Sequence, residues 1–277
     1  MTTLRFSKMH GLGNDFIVLD GISQSIDLKK ISLTSLADRH SGIGFDQLLL
    51  ILPSKKADFL CRIFNADGTE AEQCGNGMRC IARFLHENHL SVKTNITIET
   101  RAGLINTSIN DYNHIQVNMG VPRFEPSDIP FIADRIRHLY EIPLDDGQPG
   151  FALSVLSMGN PHAILQVASI RQFPVTQFGP VISKHRLFPK GTNVGFMEVV
   201  NPTHIRLRTW ERGAGETLAC GSNACAAVVS GILNHLLEKN VRVELARGNL
   251  HVTWENENAP VLLSGPATQV FDGSIVI

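Results

Sequence analysis

The chain has 277 residues, 43% hydrophobic and 18% charged, a balance usual for a soluble globular protein with room for two cored domains. Its formal net charge of −1 argues against a protein built to bind nucleic acid, and no apolar run reaches bilayer-spanning length. The opening residues lack the apolar core of a signal peptide and run into a patterned strand, so a cytoplasmic location is expected.

Residues 4–8 alternate as a strand and reach a turn at His10-Gly-Leu-Gly13; Asn14-Asp15 then leads into a second strand, Phe16-Ile-Val-Leu. A helix is expected over about 32–39, where Ile31, Leu33, Leu36 and Ala37 give an apolar side, with Gly42 and Gly44 breaking it. Gln47-Leu-Leu-Leu-Ile-Leu reads as a buried strand, and Phe59-Leu-Cys-Arg-Ile-Phe64 as another that ends at the turn signal Asp67-Gly68. The next helix spans about 76–88, since Met78, Ile81, Ala82 and Leu85 fall at i, i+3, i+4 and i+7. Strand patterns return over 95–120.

Residues 122–150 are rich in Pro, Asp and charge with little periodicity, and read as a crossing. The plan then repeats: strands from Phe151, over 193–200 and over 204–210, and a helix over about 223–237 that is apolar on nearly every side. Such a helix is buried, so sheet is expected to wrap it. Strands follow at 241–245, 250–254 and 261–265, and 267–277 reads as a strand returning to the first half. Most strands succeed one another without a helix between, which does not support a Rossmann sheet, and Gly11-Leu-Gly13 is only a fragment of a nucleotide fingerprint.

One stretch occurs twice. Glu70-Ala-Glu-Gln-Cys74-Gly75-Asn76-Gly77 is matched 146 residues on by Glu216-Thr-Leu-Ala-Cys220-Gly221-Ser222-Asn223. The same offset links Asn65 with Glu211, Phe64 with Trp210, Arg62 with Arg208, Gln47 with Asn193, and Gly13-Asn14 with Gly159-Asn160. It drops by one afterwards, pairing Glu99 with Glu244 and Gly103 with Gly248; Cys74 to Cys80 spans six residues and Cys220 to Cys225 five, which places the deletion there. The expected fold is α+β: two pseudo-symmetric homologous domains, each a mixed, largely antiparallel sheet wrapped around a central helix, with the active site in the cleft between them. The first domain comprises 1–120 joined by the tail strand 266–277, and the second 121–265.

The five cysteines do not form a disulfide framework: the count is odd, and no Cys-x-x-Cys supports a redox motif or zinc ribbon. Cys61, Cys80 and Cys225 read as buried small hydrophobes. Cys74 and Cys220 differ, each standing between a strand and a helix start. A helix N-terminus carries unpaired N–H groups and partial positive charge, which lower a nearby thiol pKa and attract an anion. Glycines at 75, 77 and 221 let backbone approach a ligand closely. Two such starts suit inversion of a carbon next to a carboxylate: one thiolate takes the proton from one face, one thiol returns a proton to the other, and the N–H groups hold the developing charge. Two structural cysteines in a repeated loop is the competing reading.

Met9-His-Gly-Leu-Gly-Asn-Asp-Phe16, Phe64-Asn-Ala-Asp-Gly68, Gln73-Cys-Gly-Asn-Gly77, Ser157-Met-Gly-Asn-Pro-His162, Trp210-Glu-Arg-Gly-Ala-Gly-Glu216 and Ala219-Cys-Gly-Ser222 together resemble diaminopimelate epimerase, in order and over essentially the whole chain. The resemblance implies an isomerase independent of pyridoxal phosphate and metal, so with no cofactor. It would interconvert LL- and meso-2,6-diaminopimelate on the bacterial route to lysine and peptidoglycan, and a homodimer is implied. It makes Cys74 and Cys220 the acid/base pair and puts the reacting carboxylate at the backbone of Gly75-Asn76 and Gly221-Ser222. Asn14, Gln47, Asn65, Asn160, Asn193, Glu211 and Arg212 match substrate-binding positions; His162 and Glu211 match positions that tune the thiols. The residues agree: Arg212 offers a planar fork for a distal carboxylate and Glu211 an anion for an ammonium. One departure is Asn223, where the family pattern has Gly; Asn tolerates a left-handed backbone and sits well near a helix start.

A proline or hydroxyproline racemase is the nearest alternative, against which the extra polar set Asn65, Asn193 and Arg212 argues. A redox-responsive dithiol binding protein is a further one, since two thiols that flank one carbon can oxidise to each other.

Overall fold

The computed structural model describes residues 3–143 and 150–277. The chain divides into two units, Met1–Asn118 with Ser264–Ile277, and Met119–Leu263.

In the first unit β1 (Thr3–Gly11) and β2 (Asn14–Asp20) form an antiparallel hairpin whose turn uses left-handed backbone at Leu12 and Gly13. After the short α1 (Leu33–Ala37) comes β3 (Gln47–Leu52), parallel to β2, then β4 (Phe59–Asn65), antiparallel to β3. The two-residue β5 (Glu70–Ala71) leads into α2 (Gly75–Glu87). β6 (Asn95–Thr100) runs parallel to β4 and continues antiparallel through β7 (Gly103–Ile109) and β8 (Ile115–Asn118). Met78, Ile81, Ala82 and Leu85 are fully buried. The helix packs on β1, β2, β3, β7 and β8, so sheet surrounds it on several sides.

The second unit repeats this with β9 (Tyr140–Ile142), β10 (Phe151–Ser157), β11 (Pro161–Gln166), α3 (Val175–Ser183), β12 (Asn193–Asn201), β13 (His204–Glu211), β14 (Gly215–Thr217), α4 (Gly221–Leu233), β15 (Asn240–Leu245) and β16 (Gly248–Thr253). β17 (Leu262–Gly265) carries the chain back to the first unit, where β18 (Thr268–Val276) pairs antiparallel with β1. α4 packs on β10, β11, β12, β13 and β16, and most of its residues are buried, as an all-round apolar helix requires. The α+β architecture of two homologous halves, each a mixed, largely antiparallel sheet about one helix, is the one expected.

The repeat extends to strand register. Phe16 faces Gln47 across the parallel β2–β3 pair, and His162 faces Asn193 across β11–β12. Phe64 faces Leu48 and Trp210 faces Val194. Arg62 Nε lies 2.8 Å from the Glu70 carboxylate and Arg208 Nε 2.7 Å from that of Glu216.

Three expectations need correction. The lost residue does not lie inside the helix: α2 and α4 both have thirteen residues, Asn88 and Asn234 cap them, and His89 and His235 follow in left-handed conformation, all at the original offset. A deletion inside a helix would rotate every later residue by about 100° and turn its apolar face off the core, whereas the loop before β6 absorbs one freely. Cys80 and Cys225 are therefore not equivalent. Second, α4 stops at Leu233 and not near 237, because Asn234 and His235 leave helical geometry. Third, α3 was not foreseen; Pro180 and Gly179 hide it, yet Gly179 lets the helix lie flush on the Trp210 ring, 2.7 Å from where a Cβ would stand. Of the crossing at 122–150, residues 144–149 lie outside the described residues, and the rest includes β9, paired with β10. Among the described residues no helix is long and apolar enough to cross a membrane.

Candidate active site

In the first unit Cys74 is the N-cap of α2: its backbone is extended, its carbonyl accepts from Met78 N–H at 2.9 Å, and its Sγ accepts from Gly77 N–H at 3.4 Å. The half-buried thiol lies 3.8 Å from Asn14 Oδ1, which also accepts from Asn76 Nδ2 at 3.2 Å. Asn14 Nδ2 donates to Asp46 Oδ2 at 3.0 Å, and Arg39 holds Asp46 at 2.8 Å. Asn76 Oδ1 accepts from the fully buried Arg79, whose Nε donates to the Pro266 carbonyl. Asn14, Cys74 and Asn76 thus form one network. Gln47 and Asn65 form another, opposite each other on β3 and β4 with Gln47 Nε2 donating to Asn65 Oδ1 at 2.9 Å. Gln47 Oε1 is buried with no hydrogen-bond partner among the described residues, an acceptor of the kind that suits a ligand N–H.

In the second unit Cys220 holds the same place on α4, with its carbonyl accepting from Ala224 N–H at 3.0 Å. It is buried, and its thiol is 3.5 Å from the Ser222 hydroxyl. Burial pushes this thiol well above its ordinary pKa, and the negative charge of Glu211 adds to the shift; the Ser222 hydroxyl and Asn223 N–H oppose it without prevailing. The lowering expected from a helix start is therefore outweighed at Cys220. Glu211 is oriented by Thr217, whose hydroxyl donates to Oε1 at 2.5 Å.

Asn193 is committed to the backbone: Oδ1 accepts from Arg212 N–H at 3.0 Å and Nδ2 donates to the Pro161 carbonyl at 3.2 Å. It thereby fixes the segment that carries Arg212, whose exposed side chain is tethered at one nitrogen by the Lys190 carbonyl at 2.9 Å. His162 is fully buried, with Nε2 2.9 Å from Asn160 Oδ1. Burial holds its pKa down at about 3, opposed by a hydrogen bond that the Asn223 side chain accepts from the ring and aided by the Arg212 charge, so the ring is neutral at physiological pH.

The other cysteines are buried, as expected. Burial raises the Cys61 thiol far above its usual value and the Cys80 thiol to about 12, leaving both protonated and inert. The motif reading missed Asp46, Thr217 and Asn223 as contributors. The first two act through Asn14 and Glu211 and carry no motif of their own, while Asn223 was visible only as a departure from a pattern.

These features define a class: an internally repeated α+β protein in which each half sets one cysteine at the cap of its central helix. The fold is shared with a PhzF-family phenazine biosynthesis protein of Bacillus anthracis, at a TM-score of 0.73 and 20% identity over 100% of both chains. It is also shared with a hydroxyproline epimerase of Agrobacterium vitis, at a TM-score of 0.72 and 14% identity over 99% of this chain and 92% of that one. At such identities the likeness speaks for the fold alone. Sequence goes further: a model of the Diaminopimelate epimerase family matches residues 6–125 and 154–270. The diaminopimelate epimerase of Nitrosospira multiformis is 53% identical over 273 residues, 98% of each chain. The chain belongs to the diaminopimelate epimerase family.

Proposed function

We propose that the protein interconverts LL- and meso-2,6-diaminopimelate, with Cys74 and Cys220 as the two bases. The observation that carries this reading is the repeated cap: two cysteines at equivalent positions, each at the start of a helix whose first N–H groups have no carbonyl partner within the helix. One thiolate removes the α-proton while the thiol of the other cysteine delivers a proton to the opposite face. The C–H electron pair passes into the carboxylate as the proton leaves and returns to carbon as the new bond forms. The N–H groups about Gly75-Asn76 and Gly221-Ser222 meet the carboxylate where this charge develops. Cys220 suits the protonated role in the free protein, because burial and Glu211 disfavour its anion. The roles exchange when the reaction runs backward.

The remaining polar groups bind the substrate's two ends. Asn14 lies beside the Cys74 thiol and Asn160 is its counterpart in the repeat, Gln47 and Asn65 offer amide acceptors and donors, and Arg212 takes the distal carboxylate with Glu211 near an ammonium. Asn193 serves by positioning Arg212. No cofactor enters this chemistry. The reading includes a cytoplasmic homodimer, which the exposed Val270 and Phe271 on β18 favour and light scattering would test.

The deciding experiment incubates the reduced protein with LL-diaminopimelate in heavy water, without added cofactor, and follows deuterium at the α-carbon and the isomer ratio. Exchange with conversion to the meso isomer is expected, and Cys74→Ala and Cys220→Ala should each abolish conversion. Full turnover by either variant overturns the two-base reading; exchange with proline and none with diaminopimelate overturns the substrate.

A further inference from the structure

Three equivalent positions behind the two helix starts carry opposite chemistry. In the first unit they are Phe16, Leu49 and Gly77; in the second, His162, Gly195 and Asn223. Phe16 and Leu49 are fully buried, and a Cβ at Gly77 would stand 3.1 Å from Leu49 Cδ2. In the second unit the sizes are exchanged: a Cβ at Gly195 would stand 2.6 Å from Asn223 Oδ1. Asn223 fills the room that Gly195 leaves, as close packing demands when a large residue moves across a contact.

The exchange brings polar atoms into a buried layer, where each needs a partner. Asn223 is fully buried and its Nδ2 donates to the Val194 carbonyl at 3.1 Å. That bond fixes the amide: turned over, Oδ1 would face the Val194 oxygen. Asn223 Oδ1, His162 Nδ1 and the hydroxyl of Thr209, which faces Gly195 across β12–β13, are buried here without a hydrogen bond of ordinary geometry among the described residues, and the Asn223 side chain acts as a hydrogen-bond acceptor for the ring. A neutral imidazole has one N–H. Placed on Nε2, the proton would serve Asn160 and leave two lone pairs, Nδ1 and Asn223 Oδ1, facing each other. On Nδ1 it serves Asn223, and the half-buried Asn160 carboxamide can turn to donate to Nε2.

We propose that Asn223 is a positioning residue of the second half-site, locking His162 as the Nδ1–H tautomer so that Nε2 accepts from the Asn160 amide. Asn160 then keeps its carbonyl oxygen for a donor on the substrate. The consequence for catalysis rests on the epimerase reading; the tautomer does not.

The test is the long-range 1H–15N spectrum of imidazole-labelled protein, assigned with His162→Gln, in wild type and Asn223→Gly. The expected wild-type pattern has protonated Nδ1 and unprotonated Nε2, reversed in Asn223→Gly, where the KM for diaminopimelate rises about tenfold while kcat changes less. Asn223→Ser, whose hydroxyl can accept from Nδ1, should restore the wild-type pattern and provides the comparison if the glycine variant is unstable. A wild-type ring protonated on Nε2, or an unchanged pattern in Asn223→Gly, overturns the proposal. The expected tautomers in a protein without epimerase activity would leave the tautomer lock standing and sink only the functional reading.

Discussion

Asp46 aims Asn14 at Cys74: by taking the Nδ2–H at 3.0 Å it leaves Oδ1 facing the thiol. Asp46→Ala removes that constraint without touching the cysteine. Loss of the orienting bond should lower kcat/KM for diaminopimelate about tenfold, and loss of the exposed Arg39 pair should lower unfolding stability by about 0–1 kcal/mol. Steady-state kinetics beside a urea titration check this; an unchanged kcat/KM would show that Asn14 needs no orienting partner.

The Cys220 thiol is held up by burial and then by Glu211. Glu211→Gln removes the charge and keeps the shape, so the pH midpoint for alkylation of Cys220 should move down while that of Cys74 stays. Iodoacetamide labelling followed by peptide mass spectrometry across pH measures both. Below the wild-type midpoint, the half-buried Cys74 should label first.

Gly195→Ala should destabilise the protein by about 1–3 kcal/mol, since the new methyl meets Asn223 Oδ1 at 2.6 Å and Ile164 Cδ1 at 2.7 Å. Adding Asn223→Gly relieves the first of these clashes. Urea unfolding of the two single variants and the double variant should then show coupling of at least about 0.5 kcal/mol. Strict additivity would mean that the backbone yields instead.

Asp15 gives the acid limb of stability one identifiable source. Burial alone would raise its pKa, but hydrogen bonds from Arg39 and Lys8, with their charges, bring it from 3.8 to about 2. The unfolded chain therefore takes the proton first as pH falls. The stabilisation is complete above 3.8 and lost as pH drops through about 2. Asp15→Asn should flatten the dependence of unfolding free energy on pH in that window by on the order of 1 kcal/mol, reduced by solvent screening.

The repeat, the central helices and most strands were legible because burial imposes periodicity: Met78, Ile81, Ala82 and Leu85 announce α2, and the run from Gln47 to Leu52 announces β3. The helix α3 was not, since Gly179 and Pro180 signal a break wherever packing does not override them. The two cysteines were legible from their repeated context. The residues that orient the site were not, because Asp46 and Thr217 act through contacts that only the folded chain creates. The deletion was misplaced for a related reason: two cysteines looked equivalent in the sequence, but helical phase decides equivalence, and Cys80 lies over Ala226.

The pairing of Thr3 with Val276 has a consequence for synthesis. A ribosome releases β1 well before β18, with the whole of Met119–Leu263 emerging between them. The second unit is contiguous and can fold as soon as it is out, whereas the first must wait, with one edge of β1 open, until β18 has emerged. An exposed strand edge is a template for wrong pairing, so the nascent first unit is where a stalled or truncated chain would aggregate. The order in which this protein is completed is thus the reverse of the order in which its units begin.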